Sequence, residues 1–341
     1  MFYQCKKCNR IWNYPIKKCP FCFEDLIKME SKKAKVIGVS KVNIPTIQHP
    51  HFPYYALVLE DENKNKWAHK STKEMNISEE MIFSSSSDKE AVALWRIKYD
   101  FNEAIEKVVN LLDGLKLKEG LKILILPALV SPSHAYFRDN TSPEFLDAVL
   151  DFLVKKKPEI KICGQSFDDI PIEASAQRSG LLDVCLKYKI TPLDLSQSNF
   201  VKQNKLEISE EALNADLILN LPILKMGRAA AAENLLKLLS KNNYLGLKYL
   251  DSEETIVSEV NQALADKIVV IAEANVVQRS DKFTKFLGLV LAGQNSLNLD
   301  KIFDEIIMSK NPCPLLQNLN IENIPLVGRE LKEFQQNAEI L

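Results

Sequence analysis

Four cysteines, spaced Cys5-x2-Cys8, ten residues, then Cys19-x2-Cys22, carry the strongest chemical signal in the sequence. Each CxxC turns as a knuckle that presents two thiolates. Two knuckles complete a tetrahedral four-sulfur shell with no open position, the ligand set of a structural zinc ion. Iron takes the same ligands in a similar geometry. A unit this short buries too little apolar surface to fold alone, so the metal would supply its folding free energy. A redox dithiol does not fit, because there are two CxxC pairs and no βαβ pattern surrounds them.

A second stretch, NLPILKMGRAAAAENL at 220–235, poses a different chemistry. An apolar strand ends in Asn-Leu-Pro, passes Lys225 and Arg228, and enters an alanine-rich helix. Ligands of α/β sheets sit where a strand's carboxyl end meets a helix start. Gly227 would permit close backbone approach, and free N–H groups near 228–231 would face an anion. Lys225 and Arg228 would add charge, and Asn220 and Asn234 could orient a polar ligand. The plainer reading is a solvated turn in which Glu233 and Lys237, spaced i, i+4, pair on a wet helix face. The run is not a Walker motif, because the Gly-Lys-Ser/Thr that reaches phosphate and magnesium is missing.

His134, Arg138 and Asp139 fall in the loop after the strand at 121–130, which places them at the same sheet edge. His134 could act there as an acid or base, or sit solvated. His49 and His51 flank Pro50; without a third ligand they read as loop residues. Cys163, Cys185 and Cys313 lie in apolar surroundings and read as packed thiols.

The elements that must position these residues follow from periodicity. Short, β-branched segments, KAKVIGVSKVNI, YYALVLEDE and KWAHKS, read as strands, with a tight turn at Asn63-Lys64-Asn65. FSSSSDKE reads as a linker. From 88 to 115 the pattern reads as helix, with Asp88 as its N-cap. LKILILPALV is a buried strand, and PEFLDAVLDFLVKK is a helix with Pro143 in its first turn. Strands and helices then alternate: IKICGQ, LLDVCLKYK, TPLDLS, DLILNLP, AAAENLLKLLSK, SEETIVSEVNQALA, KIVVIAEA, FLGLVLAG and LDKIFDEIIMS. That alternation predicts an α/β fold, a largely parallel sheet with helices on both faces. The expected division is a zinc ribbon at 1–30, an OB-like β domain at 31–83, a linker at 84–90 and the α/β domain at 91–341.

Composition narrows the partners. The 341 residues carry a net charge of −1, which gives no global case for nucleic acid or membrane. Residues 1–42 hold ten Lys and Arg against three acids, a local +7, so the remainder carries −8. Phe2, Tyr3, Trp12, Tyr14, Phe21 and Phe23 accompany that basic head; they could stack on bases, or pack as the ribbon's own core. The start shows no apolar signal segment, and the longest apolar run is far too short to span a bilayer. Thiols serving metal and packing suit a reducing cytoplasm.

The stretch from Cys5 to about Phe83 resembles the acyl-CoA-associated zinc-ribbon/OB-fold family of domain of unknown function 35. The likeness rests on the knuckles, Pro15, VIGVSKVNI and HPHFPYYALVLE. It implies a module that sits beside thiolase-like enzymes and helps channel acyl-CoA, although KKAKV stands where that family's first strand starts with glycines. Residues from about 94 to 335 resemble the family of domain of unknown function 362. The matching stretches are Leu126-Pro127-Ala128-Leu129-Val130, Asn140-Thr141-Ser142-Pro143, Ser179-Gly180-Leu181, Ala215 to Pro222 with Lys225, Glu233-Asn234-Leu235, and Asn298-Leu299-Asp300. Leu126 and Ala128 replace that family's Lys and Asn. Met226-Gly227 replaces Thr-His, Glu233 replaces Lys, and Lys237 replaces Gly. These departures imply a changed, eroded catalytic set. Three readings stay open. The α/β domain binds an anionic small molecule, or meets a protein partner through the zinc-ribbon/OB module. It is an active enzyme on an acyl-CoA-like or carboxylated substrate. Or the basic ribbon and OB-like domain bind nucleic acid.

Overall fold

A computed structural model of the chain describes residues 2–14, 16–29, 31, 33–44, 52–83, 85–98, 100–278, 284–308 and 313–335. His49 and His51 lie outside the described residues. The chain divides into two compact units, Met1–Ser84 and Ser85–Leu341.

The first unit holds two small antiparallel sheets. β1 (Phe2–Cys5), β2 (Ile11–Trp12) and β3 (Leu26–Met29) form one, in the order β2-β1-β3. β4 (Lys33–Val42), β5 (Tyr54–Asp61), β6 (Lys66–Ser71) and β7 (Glu80–Ile82) form the other, in the order β6-β5-β4-β7. The expected turn joins β5 to β6. Asp61 accepts the amides of Asn63 and Asn65 at 2.9 and 2.8 Å, the Asx geometry that makes Asp a turn former. Ala34, Val36, Tyr55, Leu57 and Leu59 form the core of this sheet.

The second unit runs β8 (Val92–Arg96), α1 (Phe101–Leu111), β9 (Lys122–Pro127), α2 (Pro143–Val154), β10 (Glu159–Gly164), α3 (Ile172–Ser179), α4 (Leu181–Lys187) and β11 (Leu193–Asp194). A hairpin of β12 (Phe200–Gln203) and β13 (Leu206–Ser209) leads to α5 (Glu210–Asn214), β14 (Leu217–Leu221) and β15 (Ile223–Lys225). α6 (Ala230–Asn234), α7 (Lys241–Leu247) and α8 (Glu253–Leu264) follow, then β16 (Ile268–Gln278), β17 (Thr284–Gly293), α9 (Ser296–Ile307), α10 (Pro314–Gln317) and β18 (Leu326–Gly328). The nine-stranded sheet has the order β11-β10-β9-β14-β16-β17-β8-β18, with β15 paired to β16. β11, β10, β9, β14 and β16 are mutually parallel; β17 runs antiparallel to both β16 and β8. The α/β class read from the alternating pattern is the observed one.

Successive residues of each central strand serve opposite faces. Ile123, Ile125, Val269 and Ile271 pack against α1 to α4, while Leu124, Leu126, Val270 and Ala272 pack against α6 to α9. Burial on both sides is why these strands read as continuous apolar runs. One expectation fails: residues 92–96 are a strand, not the start of a helix capped by Asp88. The run VALWR is too short for periodicity to separate strand from buried helix, and antiparallel pairing with β17 decides it. The helix begins at Phe101, with Asp100 accepting the Glu103 amide at 3.0 Å.

Candidate functional site

The chain order gives the sheet a switch point. From β9 the chain winds outward through β10 to β11, then returns to the other side of β9 as β14. The connections that leave the carboxyl ends of β9 and β14 therefore diverge to opposite faces of the sheet, which is where open α/β sheets bind ligands. Their ends are held in register, Leu221 beside Pro127. The loop beyond β9 is stapled by its own polar residues. The Thr141 hydroxyl donates to the Leu221 carbonyl at 2.7 Å and accepts the Ala128 amide at 2.8 Å. The Asn140 side-chain oxygen accepts the Val130 amide at 2.8 Å.

A cleft of about 220 Å³ opens at that switch point. Lys225, Arg228 and Lys237 supply its cations, and Asp139, Glu233 and Glu253 its acids. Phe167 and Tyr244 stack at 4.4 Å on one wall. Arg228 reaches Glu233 at 2.6 Å, and Lys225 stands 3.6 Å from Asp139. Tyr244 donates its hydroxyl to Glu253 at 2.9 Å. The expected Glu233–Lys237 pair is not made, because Arg228 takes the Glu233 carboxylate. Lys237 instead turns inward and donates to the Leu129 carbonyl at 3.1 Å. Among the described residues no carboxylate pairs with it. Burial, then the charge of Lys225, holds its pKa down at about 8.

The expected site residues divide between cleft and scaffold. Lys225, Arg228 and Asn234 line the cleft. Gly227 takes φ +68°, a left-handed turn position that glycine fills without strain. Asn220 is fully buried; its amide donates to the Ala231 carbonyl at 2.7 Å and its oxygen accepts from Asn234 at 2.8 Å. Asn234 also reaches the Leu126 carbonyl at 3.2 Å, so the two asparagines tie β9, β14 and α6 together. His134 and Arg138 stand outside the cleft lining. His134 is exposed, and its Nδ1 accepts the Tyr136 amide at 3.1 Å. Arg138 donates to Glu273 at 3.0 Å, and Ser142 also donates to that carboxylate. Burial pushes the Glu273 carboxyl above its usual range, against those two partners.

The helix start itself is not open to an anion. The amides of Ala231 and Ala232 donate to the two oxygens of Asp300, each at 2.9 Å. Asp300 is buried, and burial pushes its carboxyl well above the carboxylate range while the two amides pull it down. The protein's own acid occupies the place expected to face a ligand. Sequence reasoning missed Lys237, Tyr244, Phe167 and Glu253. The available signal was Lys237 itself, a lone cation inside LLKLL, flanked by leucines that must be buried.

In the ribbon, all four Sγ atoms lie within 4.8 Å of one another. Cys5 and Cys22 stand 3.2 Å apart, Cys8 and Cys19 3.7 Å. Bonds of about 2.3 Å to a tetrahedral ion set sulfur pairs about 3.8 Å apart, so the cluster fits a four-thiolate metal site. The knuckles match: Asn9 and Phe23 donate back to the carbonyls of Cys5 and Cys19 at 3.0 and 2.9 Å, with φ of +55° and +57°. The Cys8 amide, chiefly, holds the Cys5 thiol down at about 6, while the Cys5 sulfur pushes Cys22 up to about 12. A second negative charge is opposed in this cluster unless a cation neutralises it. The aromatics divide. Phe2 and Tyr3 are buried, Phe2 edge-on to Trp67 at 5.3 Å, but Phe21 and Phe23 are 66% and 75% exposed. Cys163, Cys185 and Cys313 are all buried.

The chain belongs to the family described as domain of unknown function (DUF362), whose model matches residues 123–303. Among proteins with curated functions, none matches the chain. A solved chain described as "Ltp2-ChsH2(DUF35) aldolase" is similar at 16% identity, covering 24% of this chain and 70% of that one, with a TM-score of 0.21. No described helix is long and apolar enough to cross a membrane.

Proposed function

We propose that the large unit binds a small anionic molecule in the cleft at the ends of β9 and β14, and that Cys5, Cys8, Cys19 and Cys22 hold a structural zinc. The observation that carries the first part is the convergence of Lys225 and Lys237 on one cleft, with Lys237 lacking a carboxylate partner among the described residues. An incoming carboxylate or phosphate would displace the long Lys225–Asp139 contact and meet an ammonium otherwise satisfied by one carbonyl. Four sulfurs without nitrogen or oxygen donors suit zinc, which has no redox role there and no vacant position. On this reading the catalytic set inherited with the fold is eroded, and the cleft binds rather than repeats the family's chemistry. The four-stranded sheet serves as the OB-like half of a partner-docking module. Seven thiols devoted to metal and packing favour the cytoplasm. The test is thermal denaturation of the full chain with phosphate and with small carboxylates, each added singly. A ligand at 100 times its Kd adds about 2.7 kcal/mol of stability. No upshift with any of them would overturn the cleft reading.

A second reading, nucleic-acid binding by the ribbon, is favoured by one observation. Phe21 and Phe23 are exposed within the basic head, and the Arg10 guanidinium lies 3.7 Å above the Phe21 ring. Bases stack on such platforms. Binding to single-stranded nucleic acid that falls steeply with salt would support it, and salt-insensitive or absent binding would sink it.

A further inference from the structure

Lys237 is placed as a nucleophile is placed, not as a surface cation. Its backbone carbonyl accepts from the buried Gln165 amide at 3.3 Å, and Gln165 also grips the Leu239 carbonyl at 2.7 Å. The backbone that carries Lys237 is therefore tied to the residue that follows β10. Lys237 lines a cleft walled by Ala128, Val130, Ile223, Leu236 and the Phe167–Tyr244 stack, with its amine on the Leu129 carbonyl. Of the titratable groups that act on it, Lys225 opposes its protonation, and the buried Cys163 thiol, pushed up by burial, stays neutral; Asp139, Glu233 and Glu253 are engaged with Lys225, Arg228 and Tyr244. A desolvated lysine beside a second cation is one of the ways proteins make an amine nucleophilic near neutral pH.

We infer that Lys237 captures a small 2-oxo acid as an imine, with the acid's carboxylate held by Lys225. This rests on the anion-binding reading and adds the ligand's class: an anion with a carbonyl beside its charge. In the step, the Lys237 nitrogen lone pair forms a bond to the carbonyl carbon and the C–O bond breaks. Both amine hydrogens leave with the oxygen as water, and no oxidant or reductant is needed. The hydrogen-bonded Tyr244–Glu253 pair at the cleft wall supplies a hydroxyl and a carboxyl that could pass a proton to the departing oxygen. A pKa near 8 leaves about half the amine unprotonated at pH 8, against under about 1% for an ordinary lysine.

The experiment is incubation of the full chain with pyruvate and cyanoborohydride at pH 8, followed by intact mass and peptide mapping. The expected product gains one pyruvate less water plus two hydrogens, on Lys237, labelled about tenfold or more faster than the mean of the other lysines. Lys237→Arg should keep a cation in the cleft and lose the adduct. Lys225→Met should move the pH midpoint of labelling upward, because the opposing charge is gone, an effect a merely structural Lys225 would not produce. Even labelling across all lysines, or an adduct that survives in Lys237→Arg, would overturn the imine. If pyruvate raises the melting temperature of unreduced protein but Lys237 escapes labelling, the imine falls and the anion site stands. If neither occurs, both fall.

Discussion

At the scale of single residues, two ionisable groups, half-buried Lys237 and fully buried Asp300, set the site's energetics with opposite logic. Lys237 is held at about 8 in the folded chain and returns to about 10.4 on unfolding. The unfolded chain then binds more protons between those values, so this residue makes stability rise with pH across that window; below pH 8 its cost is fully present. Lys237→Met should remove the rise and stabilise the chain at pH 7 by about 1–2 kcal/mol, a figure discounted from the full shift because the side chain is only half-buried. Chemical denaturation at pH 7 and pH 10 checks both parts; a variant less stable than wild type at pH 7 would mean the Leu129 bond outweighs desolvation. Asp300 instead supports its surroundings through two backbone donors. Asp300→Ala strands two buried amides and should cost about 2–5 kcal/mol, read as a fall in the denaturation midpoint.

At the scale of elements, the corner after β14 shows what a sequence can and cannot display. The strand, the turn at Gly227 and the alanine helix were all legible, because apolar burial and turn chemistry are local. What fills the helix start was not, since Asp300 comes from α9, some seventy residues downstream, and only tertiary packing brings it there. The fate of Glu233 was decided the same way: i, i+4 spacing pointed to Lys237, but Arg228 sits across the turn and reaches the carboxylate first. Residues 92–96 were misread as helix because their partner, β17, lies nearly two hundred residues away. The four-cysteine cluster was legible, since two CxxC knuckles bring their sulfurs together by local spacing. Among the expected polar residues, Asn220 and Asn234 turn out to bind backbone carbonyls across three elements. An asparagine that clamps scaffold and one that orients a ligand look alike in a sequence.

At the scale of the whole molecule, the chain is two units, Met1–Ser84 and Ser85–Leu341, each with its own core clusters. Residues 85–341 expressed alone should fold cooperatively, and Cys19→Ser in the full chain should abolish metal binding while leaving that transition in place. Calorimetry together with elemental analysis checks this; loss of both transitions on removing one thiol would show that the units fold as one. The cleft of about 220 Å³ that Lys225, Arg228 and Lys237 line sits where the chain winding turns back from β9 to β14, and on the proposed function its lysines bind a small anion. Isothermal titration of pyruvate into wild type and Lys225→Ala tests this most directly. One site per chain is expected, weakened about tenfold or more by the substitution, because a charge-assisted bond contributes about 1.5–3 kcal/mol. Equal affinity in the two proteins, or no heat of binding in wild type at millimolar pyruvate, would contradict it.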